Sequence, residues 1–145
     1  MAYTLQAIVA KSGAVSELPE KLELIGIGGG MDLIPLGAEA LKAHNLPFCP
    51  LTDEGQECLP LALSDLCERL SARCALAYIE VEIFGGAGTQ AHALFSDGKA
   101  VGPVVVSDSA VNQALRSLGV HKGASVDEFE AVGLGLQRDT DDWLA

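Results

Sequence analysis

Residues 75–106 decide the fold. They read Ala75-Leu-Ala-Tyr-Ile-Glu-Val-Glu-Ile-Phe84, then Gly85-Gly-Ala-Gly88, then Thr89-Gln-Ala-His-Ala-Leu-Phe-Ser96, Asp97-Gly98 and Lys99-Ala-Val-Gly-Pro-Val-Val-Val106. Ile79, Val81 and Ile83 alternate with Tyr78, Glu80, Glu82 and Phe84, and a period of two marks a strand. Asp97-Gly98 between strand-like runs is a two-residue hairpin signal, because both turn positions need positive φ. Pro103 cannot donate a ladder hydrogen bond, so the third strand is an edge or carries a bulge. The stretch is therefore expected to be a three-stranded antiparallel meander.

Two registers compete in the first hairpin. A four-residue loop, Gly85–Gly88, places Gln90 and His92 opposite Ile83 and Val81. Adding Thr89 to the loop pairs Ile83 with Ala91, Val81 with Ala93, Ile79 with Phe95 and Glu82 with His92. The second is expected, because the first turns two polar side chains towards the apolar face without evident partners.

At 145 residues, 49% of them hydrophobic, the chain is expected to be one domain, 1–145, with a core that needs no staples. Net charge is −11, from 20 acidic and 9 basic residues. That disfavours nucleic acid and anionic membranes as partners and is compatible with a basic protein. Met1-Ala-Tyr-Thr-Leu-Gln-Ala lacks the features of a signal peptide. No apolar run approaches the ~18 residues of a membrane span, so a cytoplasmic location is expected. Cys49, Cys58, Cys67 and Cys74 contain no C-x-x-C pair and read as reduced core cysteines, so no metal or cofactor is expected.

Outside the meander, Tyr3–Ala10 reads as a half-buried strand, and Met31–Leu36 as another short one. Gly26-Ile-Gly-Gly-Gly30 lacks both the following helix of a dinucleotide fingerprint and the Lys-Ser/Thr of a P-loop, so it reads as a loop or bulge. Gly37–His44 is a short helix with His44 near its C-terminus, and Asn45–Pro60 an irregular connection. Leu63, Leu66, Cys67, Leu70 and Cys74 recur at helical spacing, with Ser64 as N-cap and an end near Arg73. Ser107 or Asp108 caps a helix with Val111, Ala114, Leu115 and Leu118 on its apolar face, and Gly119 stops it. Ser125-Val-Asp-Glu128 has the form of a capping box opening a helix that buries Phe129 and Val132. Trp143 and Leu144 are expected to dock on the body. The fold class is α+β: a mostly antiparallel sheet of five or six strands around the central meander, with about four helices packed on it.

Three stretches are candidate sites. Gly85, Gly86, Gly88, Thr89 and Gln90 could cradle an anion with backbone N–H groups, or form a turn alone. Arg138, Asp139, Asp141, Asp142 and Trp143 could fix the tail, dock a basic protein with Trp143 as anchor, or bind a divalent cation, although the spacing lacks the glycine and terminal glutamate of a calcium loop. Glu80 and Glu82 lie about 6.5–7 Å apart along a strand and could do acid–base work in a cleft. A solvated or helix-covered sheet face with ion pairs is the simpler role. There is no G-x-S-x-G, H-E-x-x-H or P-loop, and the sequence selects no catalytic residue.

Tyr78-Ile-Glu-Val-Glu-Ile-Phe-Gly-Gly-Ala-Gly-Thr-Gln90, Val111-Asn-Gln-Ala-Leu-Arg-Ser-Leu-Gly119 and Asp127-Glu-Phe-Glu-Ala-Val-Gly-Leu-Gly-Leu-Gln-Arg-Asp-Thr-Asp-Asp-Trp143, with the start Tyr3-Thr-Leu-Gln-Ala-Ile-Val, resemble a family of small stand-alone bacterial proteins of unassigned function. The resemblance implies no catalytic residue. In style the chain also resembles immunity proteins that neutralise bacterial toxins. Three functions are expected, in this order: a non-catalytic protein-binding module for a basic partner, a small-ligand binder or enzyme using Gly85–Gln90, and a homo-oligomer joined at the Pro103 edge.

Overall fold

The computed structural model describes residues 2–84 and 87–144. Six antiparallel strands form one sheet: β1 (Ala2–Lys11), β2 (Ile25–Ile27), β3 (Met31–Pro35), β4 (Ala75–Phe84), β5 (Ala87–Ser96) and β6 (Lys99–Ser107), in the order β2-β3-β1-β4-β5-β6. Among the described residues there are four α-helices, α1 (Ala38–Ala43), α2 (Leu61–Leu70), α3 (Ala110–Ser117) and α4 (Glu128–Ala131), of which α2 and α3 pack directly on the sheet. Two short 3₁₀ turns follow, Leu134–Leu136 and Thr140–Leu144.

Both faces of the sheet are buried. One carries Ile8, Ile34, Leu76, Tyr78, Ala93 and Phe95 against Leu63, Leu66, Cys67 and Leu70 of α2. The other carries Leu5, Ala7, Val9, Leu33, Ile79 and Val81 against Val111, Ala114 and Leu115 of α3 and Val132 after α4. β1 is thus buried on both sides and not half-buried as its alternation suggests. Its neighbours β3 and β4 hold it at the middle of the sheet, where each side must meet a layer.

The meander forms as expected, but the register of its first hairpin differs. Phe84 pairs with Ala87, leaving only Gly85 and Gly86 between them, and both lie outside the described residues. Val81 faces Gln90, Ile79 faces His92 and Glu82 faces Thr89. The expected Glu82–His92 pair is absent. The expectation took polar residues on the apolar face to lack partners. Gln90 has one: its Oε1 accepts from Val111 N at 3.1 Å, at the first turn of α3. The second turn is as read, with Asp97 at φ 53° and Gly98 at φ 77° joining Ser96 to Lys99. β6 is one edge of the sheet, and its register against β5 shifts between His92 and Leu94 of β5. That shift places Pro103 in a bulge opposite β5.

Helix starts differ from the sequence expectation. Pro60, not Ser64, is the N-cap of α2, which ends at Leu70. Ser109 precedes α3 without a side-chain cap bond, and Gln90 supplies the acceptor instead. Asp127, not Ser125, caps α4 by accepting from Glu130 N at 2.9 Å. A carboxylate one residue before the helix reaches its free N–H groups directly.

β3 pairs only with Ala7–Lys11 of β1, and the chain's end takes the vacant edge. Thr4 N donates to Arg138 O at 2.9 Å, and Gln6 N donates to Thr140 Oγ1 at 3.0 Å. Asp141 Oδ1 accepts from Ala38 N at 3.0 Å, capping α1 where Gly37 has no side chain to do so. Trp143 packs against the second core cluster, as expected.

Candidate functional site

Three features carry chemistry. The first is a sealed polar cluster beneath the Asn45–Pro60 connection. Tyr78, Glu80 and Glu82 share one face of β4, with Gln6 of β1 beside them. Glu80 is fully buried, and Gln6 and Glu82 nearly so. Backbone groups of Pro47, Cys49, Leu51 and Thr52 reach this part of the sheet. The loop covers it, and Glu80 is its anchor. Glu80 Oε1 accepts from Leu51 N at 3.1 Å, Thr52 N at 2.9 Å and Thr52 Oγ1 at 3.0 Å. Glu80 Oε2 accepts from the Tyr78 hydroxyl at 2.6 Å. Gln6 Nε2 donates to that hydroxyl and to Pro47 O, while Gln6 Oε1 accepts from Cys49 N.

Thr52 joins the two carboxyls, its Oγ1 also lying 2.8 Å from Glu82 Oε1. One hydroxyl has one proton and serves one carboxylate. A proton on one of the two carboxyls supplies the second contact of the bridge. Burial pushes the Glu80 carboxyl above its ordinary value, partly offset by the hydrogen bonds from Tyr78, Thr52 and Leu51. Burial likewise raises the Tyr78 hydroxyl and the Cys49 thiol, with Glu80 adding to both. Among the described residues no cation pairs with Glu80 or Glu82; the one ion pair is Arg116–Glu128 at 3.1 Å. The expected ion-paired face is therefore a loop-covered, hydrogen-bonded one. Sealed from solvent, the pair locks a loop and presents no open face to a substrate.

The second feature is the Gly85–Gln90 turn. Gly85 and Gly86 lie outside the described residues. Gly88 faces Ile83 across the hairpin, and Thr89 faces Glu82. Gln90 is committed to α3. His92, two positions on, is buried beneath α3 with no hydrogen-bond partner for Nδ1 among the described residues. Burial lowers its proton affinity, and a contact with Gln113 opposes that.

The third feature is a corner built by the β2–β3 turn, α4 and the chain's end. Gly28 N donates to Val132 O at 2.9 Å, and a Cβ on Gly28 would stand 2.8 Å from Ala131 O. Phe129 N donates to Asn112 Oδ1 at 2.9 Å, Tyr3 OH donates to Leu134 O at 2.7 Å, and the Tyr3 and Phe129 rings lie 5.6 Å apart. Of the expected tail residues, Arg138, Asp139, Asp141 and Asp142 are exposed and Trp143 is half-buried. Arg138 and Asp139 meet β1 through backbone, and Asp141 is used as the α1 cap. No cluster of three or more His, Cys, Asp or Glu residues able to hold a metal occurs among the described residues.

Gln6, Thr52, Asn112 and Arg116 were not anticipated as structural anchors. Each acts on a partner at least twelve residues away in sequence, and no local pattern marks such a role. No helix among the described residues is long and apolar enough to cross a membrane.

Fold and sites together define a small α+β protein on a two-faced antiparallel sheet, with a locked carboxyl pair inside and an acidic, partly apolar corner outside. No family model, curated protein or solved structure matches the chain.

Proposed function

We propose that this is a non-catalytic protein-binding module for a basic partner, with an immunity-type inhibitor as its narrowest form. The observation that carries the reading is the C-terminal segment. It is held on β1 by the backbone hydrogen bond from Thr4 N to Arg138 O and by the bond from Gln6 N to Thr140 Oγ1, while Asp139 and Asp142 stay exposed. A fixed acidic patch on a chain of net charge −11 steers a basic protein and speeds encounter at low salt. The test is capture on the tagged chain at low and high salt, with bound proteins identified by mass. One stoichiometric basic partner, lost at high salt and lost with Asp142→Lys, is expected. A partner retained at high salt and by Asp142→Lys would count against the electrostatic patch. Asp142 is the position to change, because Asp141 also caps α1.

A second reading is a homo-oligomer joined along β6. The edge position of that strand, with Val101 and Val106 half exposed, favours it. A monomeric mass in solution would exclude it.

A further inference from the structure

Val126 is 81% exposed and Leu136 79% exposed. The two side chains share one cleft of about 430 Å³ with Phe129, Glu130 and Gly133. A second cleft of about 440 Å³ lies against Leu136 as well, lined by Ile27, Val132, Trp143 and again Glu130. Two apolar side chains this exposed in one cleft form a patch, whereas Leu61, 77% exposed, lines neither cleft. Glu130 borders both clefts, and among the described residues no cation pairs with its carboxylate. The walls are held by Gly28 to Val132, by Asn112 to Phe129, by the Asp127 cap and by Arg116 to Glu128. A site built this firmly needs little ordering when it is filled.

We propose that this corner is the anchor patch of the partner-binding surface. It takes a protein segment that carries a lysine or arginine between two bulky aliphatic side chains. One aliphatic group enters each cleft on either side of Leu136, and the cation meets Glu130. The inference rests on the partner-binding reading above and adds where the partner's apolar contacts fall. Charge complementarity selects the occupant. The clefts are apolar, the carboxylate between them is acidic, and the exposed Asp142 beside Trp143 extends the same sign.

Trp143 is the chain's one tryptophan and lines the second cleft, so its fluorescence reports occupancy. The test titrates the whole protein with capped synthetic peptides bearing one lysine between two leucines at spacings of two, three and four residues, and follows Trp143 emission and backbone amide shifts. One spacing is expected to bind, shifting Val126, Phe129 and Gly133. Binding should weaken about tenfold or more in Leu136→Ser and in Glu130→Lys. Leu61→Ser should bind unchanged, and so should show that exposed apolar surface alone is not enough. Both corner variants change exposed side chains, and an unchanged melting temperature will show that they fold. Absence of binding at the corner, or equal binding by Leu136→Ser, overturns the proposal. Partner capture lost in Asp142→Lys yet kept in Leu136→Ser overturns the corner and leaves the partner reading standing. Peptides seated in the clefts with no basic partner captured support the corner and overturn the partner reading alone.

Discussion

The hydroxyl of Tyr78 donates to Glu80 Oε2 at 2.6 Å, two positions along the same strand and under a loop that shuts both away from water. A phenol and a carboxyl so placed make the stability of the loop depend on one proton.

That dependence has a sign. Burial holds the Glu80 carboxyl above its ordinary value of 4.5, so the folded chain keeps the proton to higher pH than the unfolded chain does. Between those two values the folded state binds more protons. The contribution of Glu80 to stability therefore falls as pH rises through the window and returns on acidification. His92 works in the opposite direction, because burial lowers its affinity below the ordinary 6.5 and protonation favours the unfolded chain. Comparing wild type with Glu80→Gln by urea unfolding across pH isolates the carboxyl. The advantage of wild type over the variant should grow as pH falls towards 4.5. Parallel pH curves for the two proteins would remove Glu80 as the source.

Thr52→Val keeps the shape of the side chain and deletes the hydroxyl shared by Glu80 and Glu82. It should cost about 1–3 kcal/mol, because buried carboxyl oxygens lose a donor. Hydrogen exchange at the Leu51 and Thr52 amides should speed up, with Thr52→Ser recovering part of the protection. Unchanged exchange would mean that the amides are held without the bridge.

Gln90→Leu removes the acceptor at the start of α3. The expected loss is about 0.5–2 kcal/mol, as for an ordinary N-cap. Gln90→Glu keeps an acceptor and adds a negative charge beside the helix start, so it should lose less. Equal losses in urea unfolding would show that packing of the side chain, not the hydrogen bond, sets the cost.

Gly28 and Gly26 separate close approach from loop composition. A Cβ at Gly28 meets Ala131 O and Val132, whereas one at Gly26 meets nothing within 4 Å. Gly28→Ala should destabilise by about 1–3 kcal/mol and shift the resonances of Val132. Gly26→Ala should stay within about 0.5 kcal/mol of wild type. Thermal unfolding of both variants reads the difference, and similar melting temperatures would deny the tight contact between the β2–β3 turn and the end of α4.

Much of the fold was legible because its signals are local. Alternation in Ile79, Val81 and Ile83, the Asp97-Gly98 turn and the Leu63–Leu70 periodicity each depend on neighbours a few residues away. The same locality misled at Glu80 and Glu82. Their alternation with apolar residues implies a polar face, solvated or helix-covered, with ion pairs, yet a loop from residues 47–52 covers them. The first hairpin failed for a related reason. Its register was judged from the strands alone, while the partner that makes Gln90 acceptable sits on α3. The acidic tail was legible as a docked segment through its tryptophan, but its strand-like pairing with Thr4 was not.

By itself the sequence determined the antiparallel meander, the positions of most elements and the large negative charge, because chain geometry and side-chain type dictate these within short windows. The tertiary structure alone decided the strand order, the burial of β1 and β4 on both faces, the sealing of Glu80 and the assembly of the corner around Leu136. Those depend on contacts between residues far apart in the chain. A buried polar group is stable only when such a distant partner arrives to satisfy it.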